Sequence, residues 1–199
     1  MARIAPVPRA EWSADMTAFI ASFRNSVIGE EPNDNHQSGT NLLGTLAGYP
    51  ALTKPFLSFN RHLLAENTLS ARQRELVILR VAHLRQCAYE WAQHAILAAR
   101  AGISPEEITR LAQRPDAPDW PPGERSLLCA TGELLADGTI GEDTWRVLAD
   151  EFDEKQLMDL VFTVGTYAMV AMALRSFGVE PETELLPHLP NSPYLGNGH

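Results

Sequence analysis

Cys87, Glu90 and His94 stand three and four residues apart within the stretch QCAYEWAQH, residues 86–94. At a helical step these positions fall within about 60° of one another, so they share one face. Glu90 and His94, four apart, are in reach of each other on that face. A carboxylate beside an imidazole raises its proton affinity and fixes its orientation. The result is a group able to take or give a proton near neutral pH, as acid–base catalysis requires. The same residues have plainer roles open to them. A Glu–His pair at this spacing is a common solvated pair, and a cysteine is often a small buried hydrophobe. Tyr89 and Trp91 serve either as core or interface anchors or as platforms for a substrate. Cysteine, glutamate and histidine are also zinc ligands, but C-x2-E-x3-H does not follow the common ligand spacings, and no metal site is expected. Glu75 lies further back, twelve residues before Cys87. On one unbroken helix it would point about 120° away; a bend near HLRQ would fold it back towards the cluster.

The elements that must hold these groups read as helices throughout. Trp12, Met16, Phe19, Ile20 and Phe23 recur at helical intervals, as do Leu52, Phe56, Phe59, Leu63 and Leu64. Residues 28–41, polar and glycine-bearing, read as a loop. His36 within it is placed to cover a pocket. Ser70 with Gln73 three residues on makes a capping box for the next helix. The motif helix is expected from about Cys87 to Ala101, ending at Gly102. Ser104 and Pro105 restart the chain with two glutamates in the first turn. A proline-rich connector, RPDAPDWPPGE, separates the two halves, and residues 153–178 form a long helix apolar nearly all round, read as central core. A faint repeat relates ARQRELVILRVA to DEKQLMDLVFTVG, each with a polar cap before an apolar helix; only the first copy carries the cysteine, glutamate and histidine. The expectation is one all-α domain over 1–199, with an N-terminal helical extension and an extended tail from about 181. His62, His83 and Glu66 read as surface or partly buried groups.

Composition narrows the partners. The 199 residues carry 16 Lys+Arg against 25 Asp+Glu, a net charge of −9, which argues against nucleic acid and anionic membrane. With 45% hydrophobic residues, the chain has material for a real core. Two cysteines, Cys87 and Cys129, make no disulfide framework. No apolar run of membrane-spanning length and no apolar signal-peptide core is apparent, and the chain reads as cytoplasmic.

The stretch LSARQRELVILRVAHLRQCAYEWAQHAILAARAGIS, residues 69–104, resembles the carboxymuconolactone decarboxylase and alkylhydroperoxidase-D-like superfamily, with a looser likeness from about 41 to 180. The resemblance implies an all-α fold, obligate homo-oligomers such as trimers or hexamers, and active sites close to subunit contacts. The peroxidase branch carries C-x2-C-x3-H with a glutamate twelve residues before the first cysteine. Glu75, Cys87 and His94 match that pattern, while Glu90 stands where the second cysteine would be. Disulfide cycling needs a second thiol within about 7 Å between Cα atoms, and Cys129 belongs to another helix. A single-cysteine route through a sulfenic acid would need an outside thiol. The decarboxylase branch carries E-x3-H, matched by Tyr89, Glu90, Trp91 and His94. It implies cofactor-free chemistry: His94 as acid–base group, Glu90 orienting it, Glu75 as second carboxylate, Cys87 shaping the pocket, and Tyr89 and Trp91 against the substrate. Three functions follow as expectations: a lyase-type enzyme on a small carboxylated or lactone-like molecule, a thiol-dependent peroxidase on Cys87, and a non-catalytic oligomeric binding protein.

Overall fold

A computed structural model describes residues 2–28 and 39–189. Among the described residues nine α-helices follow one another: α1 Ala14–Ile28, α2 Thr40–Ala47, α3 Pro50–Arg61, α4 Ala71–Leu84, α5 Ala88–Arg100, α6 Pro105–Gln113, α7 Pro122–Asp137, α8 Glu142–Glu151 and α9 Glu154–Phe177. There is no strand among the described residues. Most of the loop expected over 28–41, His36 included, lies outside them.

The helix starts are written locally. Ser70 accepts from the Gln73 N–H while the Gln73 side chain returns to the Ser70 N–H, and Ser104–Glu107 and Asp153–Gln156 do the same. These reciprocal bonds satisfy backbone N–H groups that the first helical turn leaves without partners. The faint sequence repeat therefore survives at the caps. It ends there: α9 runs unbroken for 24 residues, whereas the first copy breaks between α4 and α5. The break sits at Gln86, whose φ of 51° is in the left-handed region that side-chain-bearing residues seldom adopt.

α4 is the hub. It packs against α5, α7 and α9, and Leu76, Val77, Ile78, Leu79, Val81 and Ala82 have no exposed surface. Val77, Ile78 and Val81 face Leu127, Leu148, Leu160 and Val164 on one side. Leu76, Leu79 and Ala82 face Trp91, Leu111, Trp120 and Leu128 on the other. Each such aliphatic side chain contributes roughly 1.5–3 kcal/mol on burial, so α4 is fixed from all sides. A separate cluster of Met16, Ile20, Leu43 and Leu57 binds α1 to α2 and α3. Asp159 on α9 is buried and accepts from the Thr68 N–H and hydroxyl, both at 2.7 Å, with His62 at 2.9 Å; this ties α9 to the approach to α4.

Four expectations change in three dimensions. The second apolar series does not form one helix face: α3 stops at Arg61, a π-helical turn covers His62–Glu66, Leu63 is fully buried, and Leu52 and Phe59 are exposed. α9 is central core on one side only. Met158, Val161, Phe162, Met169 and Met172 form an exposed apolar stripe along its other side. α9 is also long and apolar enough to cross a membrane by length and composition, contrary to the sequence expectation, although 56% of its apolar window is buried within the protein. Finally, the tail is not extended from 181: Thr183–His188 forms a 3-10 turn with Leu185 buried.

Candidate functional site

α5 begins immediately after the Gln86 turn, with Cys87 as its N-cap. The reversal lays α5 along α4 and brings together residues far apart in sequence. His94 Nδ1 lies 2.7 Å from Oε2 of Glu75, and both side chains are buried. The other Glu75 oxygen accepts from the Arg74 Nε–H at 3.2 Å. An acceptor-only carboxylate held by a guanidinium leaves the imidazole proton on Nδ1 and Nε2 as the free base nitrogen. Tyr167 of α9 stands edge-to-face on the His94 ring at 5.0 Å, limiting its rotation. The sequence expectation that Glu90 orients His94 is thus corrected. The two share a helix face, but the hydrogen bond to His94 comes from Glu75 on the neighbouring helix, because the turn at Gln86 folds that carboxylate back.

His94 lines a cavity of about 270 Å³. Its walls come from α1 (Phe23, Arg24), α3 and the π-helical turn (Phe56, Leu64), α5 (Tyr89, Glu90, Gln93, Leu97, Arg100) and α9 (Tyr167, Val170), with Arg74 from α4. Three arginines line this small, largely apolar cavity, Arg74 among them paired with Glu75. Burial draws the Arg24 guanidinium below its usual range, and Arg9 nearby adds to that. Glu90 is 2% exposed, and neither carboxyl oxygen has a hydrogen-bond partner among the described residues. Burial pushes this carboxyl well above the usual carboxylate range.

The remaining sequence candidates separate. Tyr89 lines the cavity and donates its hydroxyl to Glu182 at 3.0 Å. Cys87 does not reach the cavity wall. It is 1% exposed in a cluster with Tyr89, Ala171 and Leu174, and burial pushes its thiol up to about 12. Trp91 is not a wall residue either. One step beyond Glu90 on the helix, it turns about 100° away and packs with Leu76, Leu79 and Trp120. Cys129 is partly buried on α7. No group of three or more metal-ligating side chains occurs among the described residues.

Several wall residues went unread in the sequence. Gln93, Leu97 and Arg100 continue the Glu90–His94 face by steps of three and four, so periodicity could have found them. Arg24, Arg74 and Tyr167 carry no local signal, nor does Glu182, which lies outside the wall but holds its residues Tyr89 and Gln93. Glu182 is buried and accepts from three groups: the Asn41 N–H at 2.8 Å, the Tyr89 hydroxyl, and the Gln93 amide at 3.3 Å. It fastens the chain beyond α9 to α2 and α5.

Residues 50–131 match the Carboxymuconolactone decarboxylase family model. No curated protein matches the chain. Among solved structures, the alkylhydroperoxidase AhpD core of an uncharacterized peroxidase-related protein from Ralstonia eutropha JMP134 is 19% identical, covering 92% of this chain and 94% of its own, with a TM-score of 0.73. An uncharacterized peroxidase-related protein from Silicibacter sp. TM1040 is 20% identical, covering 90% and 91%, with a TM-score of 0.72. A cysteine-to-alanine variant of the debrominase Bmp8, in complex with 2,3,4-tribromopyrrole, is 12% identical, covering 93% and 94%, with a TM-score of 0.74. At such identities these likenesses speak for the fold. The family match spans residues 50–131, less than half of the chain; together these findings give the chain an alkylhydroperoxidase-D-like helical fold with a carboxymuconolactone decarboxylase-type segment within it.

Proposed function

We propose that the chain is a cofactor-independent enzyme of the decarboxylase or lyase type, acting by proton transfer on a small carboxylated or lactone-like molecule. The observation that carries this reading is the buried His94–Glu75 pair, 2.7 Å apart, with His94 in the wall of a cavity. Glu75 holds the Nδ1 proton and the ring orientation, so Nε2 is the nitrogen that exchanges a proton with substrate carbon. The arginines favour an anionic substrate, since guanidinium groups pair with carboxylates. The apolar walls favour a compact hydrocarbon body. The reading includes assembly of several copies, with the apolar stripe of α9 as the contact.

The test uses a panel of carboxylated lactones and enolisable unsaturated acids in heavy water. Carbon dioxide release and carbon–deuterium incorporation are followed by NMR. The expected outcome is turnover of at least one compound, reduced by ~10²–10⁴-fold in His94→Ala with the fold intact by circular dichroism. Turnover unchanged in His94→Ala removes the reading.

A second reading, a thiol-dependent peroxidase, draws support from the peroxidase-related proteins that share the fold. The burial of Cys87 and its raised thiol weigh against it, because the thiolate is the nucleophile. That reading requires peroxide consumption with an external thiol, lost in Cys87→Ser.

A further inference from the structure

Among the described residues, Glu90 is the one buried carboxyl in the cavity wall that the His94–Glu75 pair does not use. Its neighbours are accounted for: Glu75 is held by His94 and Arg74, and Glu182 by Tyr89, Asn41 and Gln93. Both oxygens of Glu90 are out of reach of bulk water and without a hydrogen-bond partner among the described residues. A buried polar group left so carries a desolvation penalty that a bound ligand would relieve. Glu90 also precedes His94 by one helical turn, so both border the same part of the cavity.

We propose that Glu90 is the cavity's oxyanion donor: its carboxylic O–H binds the carbonyl oxygen of an enolisable substrate while His94 moves a proton at the adjacent carbon. This rests on the proton-transfer reading above and adds the substrate class, a carbonyl compound whose reacting carbon neighbours that carbonyl. The electrons balance within the site. His94 Nε2 takes the carbon-bound proton, the C–H pair forms the carbon–carbon double bond, and the carbonyl π pair moves onto the oxygen held by Glu90. Return of the proton from His94 to carbon restores the carbonyl. Where the carbon bears a carboxylate instead, its C–C bond breaks, carbon dioxide leaves, and the bonding pair enters the same enolate. An initially protonated His94 then delivers its proton to carbon and regains one from solvent. A neutral acid serves this role because it donates to the developing charge without adding a charge of its own; burial in this wall keeps Glu90 in that form.

The probe is 4-nitrophenol, small enough for the cavity and coloured differently when bound as phenol or phenolate. Its binding is measured to the wild type, Glu90→Gln and Glu90→Leu. Glu90→Gln keeps the shape and an N–H donor, so it guards against simple misfolding. The expected result is a loss of ~10–100-fold in affinity for Glu90→Leu, with Glu90→Gln in between. The wild-type minus Glu90→Gln infrared difference spectrum at neutral pH should also show a carboxylic-acid C=O band. Equal affinity in all three proteins, no uptake of the probe by the wild type, or no such band overturns the proposal. The two ideas fail separately. Deuterium incorporation that survives His94→Ala sinks the proton-transfer reading and leaves the 4-nitrophenol result standing on its own.

Discussion

His94 and Glu90 are one helical turn apart, yet they meet opposite surroundings. His94 has a carboxylate partner; Glu90 has burial and no partner. A carboxyl whose folded-state affinity for its proton exceeds that of the unfolded chain contributes stability that is fully present at low pH. That contribution is lost as pH rises above the ordinary carboxylate range, because the folded state resists ionisation while the unfolded state does not. The isosteric Glu90→Gln removes the ionisable group. Its thermal midpoint should gain on the wild type as pH is raised from about 5 to 8, the ordinary carboxylate pKa lying just below that span. Parallel melting curves for the two proteins over that interval would show that Glu90 ionises in the folded protein as it does in water. Cys87 follows the same physics with a different consequence: burial that keeps the thiol protonated also keeps it unreactive.

At the scale of elements, the site is an agreement between α4 and α5 enforced by one turn. The backbone at Gln86 reverses the chain, and the buried faces of α4 leave α5 a single seat. The segment after α9 supplies the other restraint. Glu182 gathers donors from α2 and from two wall residues of α5, so its removal leaves three polar groups short of an acceptor. Glu182→Ala should lower stability by roughly 2 kcal/mol, read as a lowered denaturant midpoint. Amide exchange at Asn41 and Leu42 should rise with it. Unchanged exchange there would mean that the segment rests on the cavity wall without holding it.

For the whole molecule, the feature without an internal explanation is the stripe on α9. Met158, Phe162, Met169 and Met172 recur at intervals of four, seven and three residues, Phe59 meets Phe162 edge-to-face, and all five are exposed in the single chain. Exposed apolar surface of this continuity marks a contact site. On the assembly proposed above, Met158→Lys combined with Phe162→Glu should leave only single chains in sedimentation where the unaltered protein sediments as a multimer, with the helical circular dichroism signal unchanged. An assembly of undiminished size in that variant would move the contact to another face.

Much of this was legible in the chain because it is local. Capping boxes, the Gly102 stop and the three–four rhythm depend on residues within one or two turns of each other, so helices and the Glu90–His94 face could be read from sequence. The bend near HLRQ was read as a condition, and Gln86 meets it. Pairing is not local. Whether His94 bonds Glu90, four residues away, or Glu75, nineteen residues away, is decided by how α4 and α5 pack. The same holds for Trp91, which turns to the core one position beyond Glu90, and for Arg24, Tyr167 and Glu182, whose sequence neighbourhoods give no hint of a cavity. Periodicity dictates which face a side chain takes; only the packed helices decide what that face meets, because burial and hydrogen bonding are set by groups brought together from distant parts of the chain.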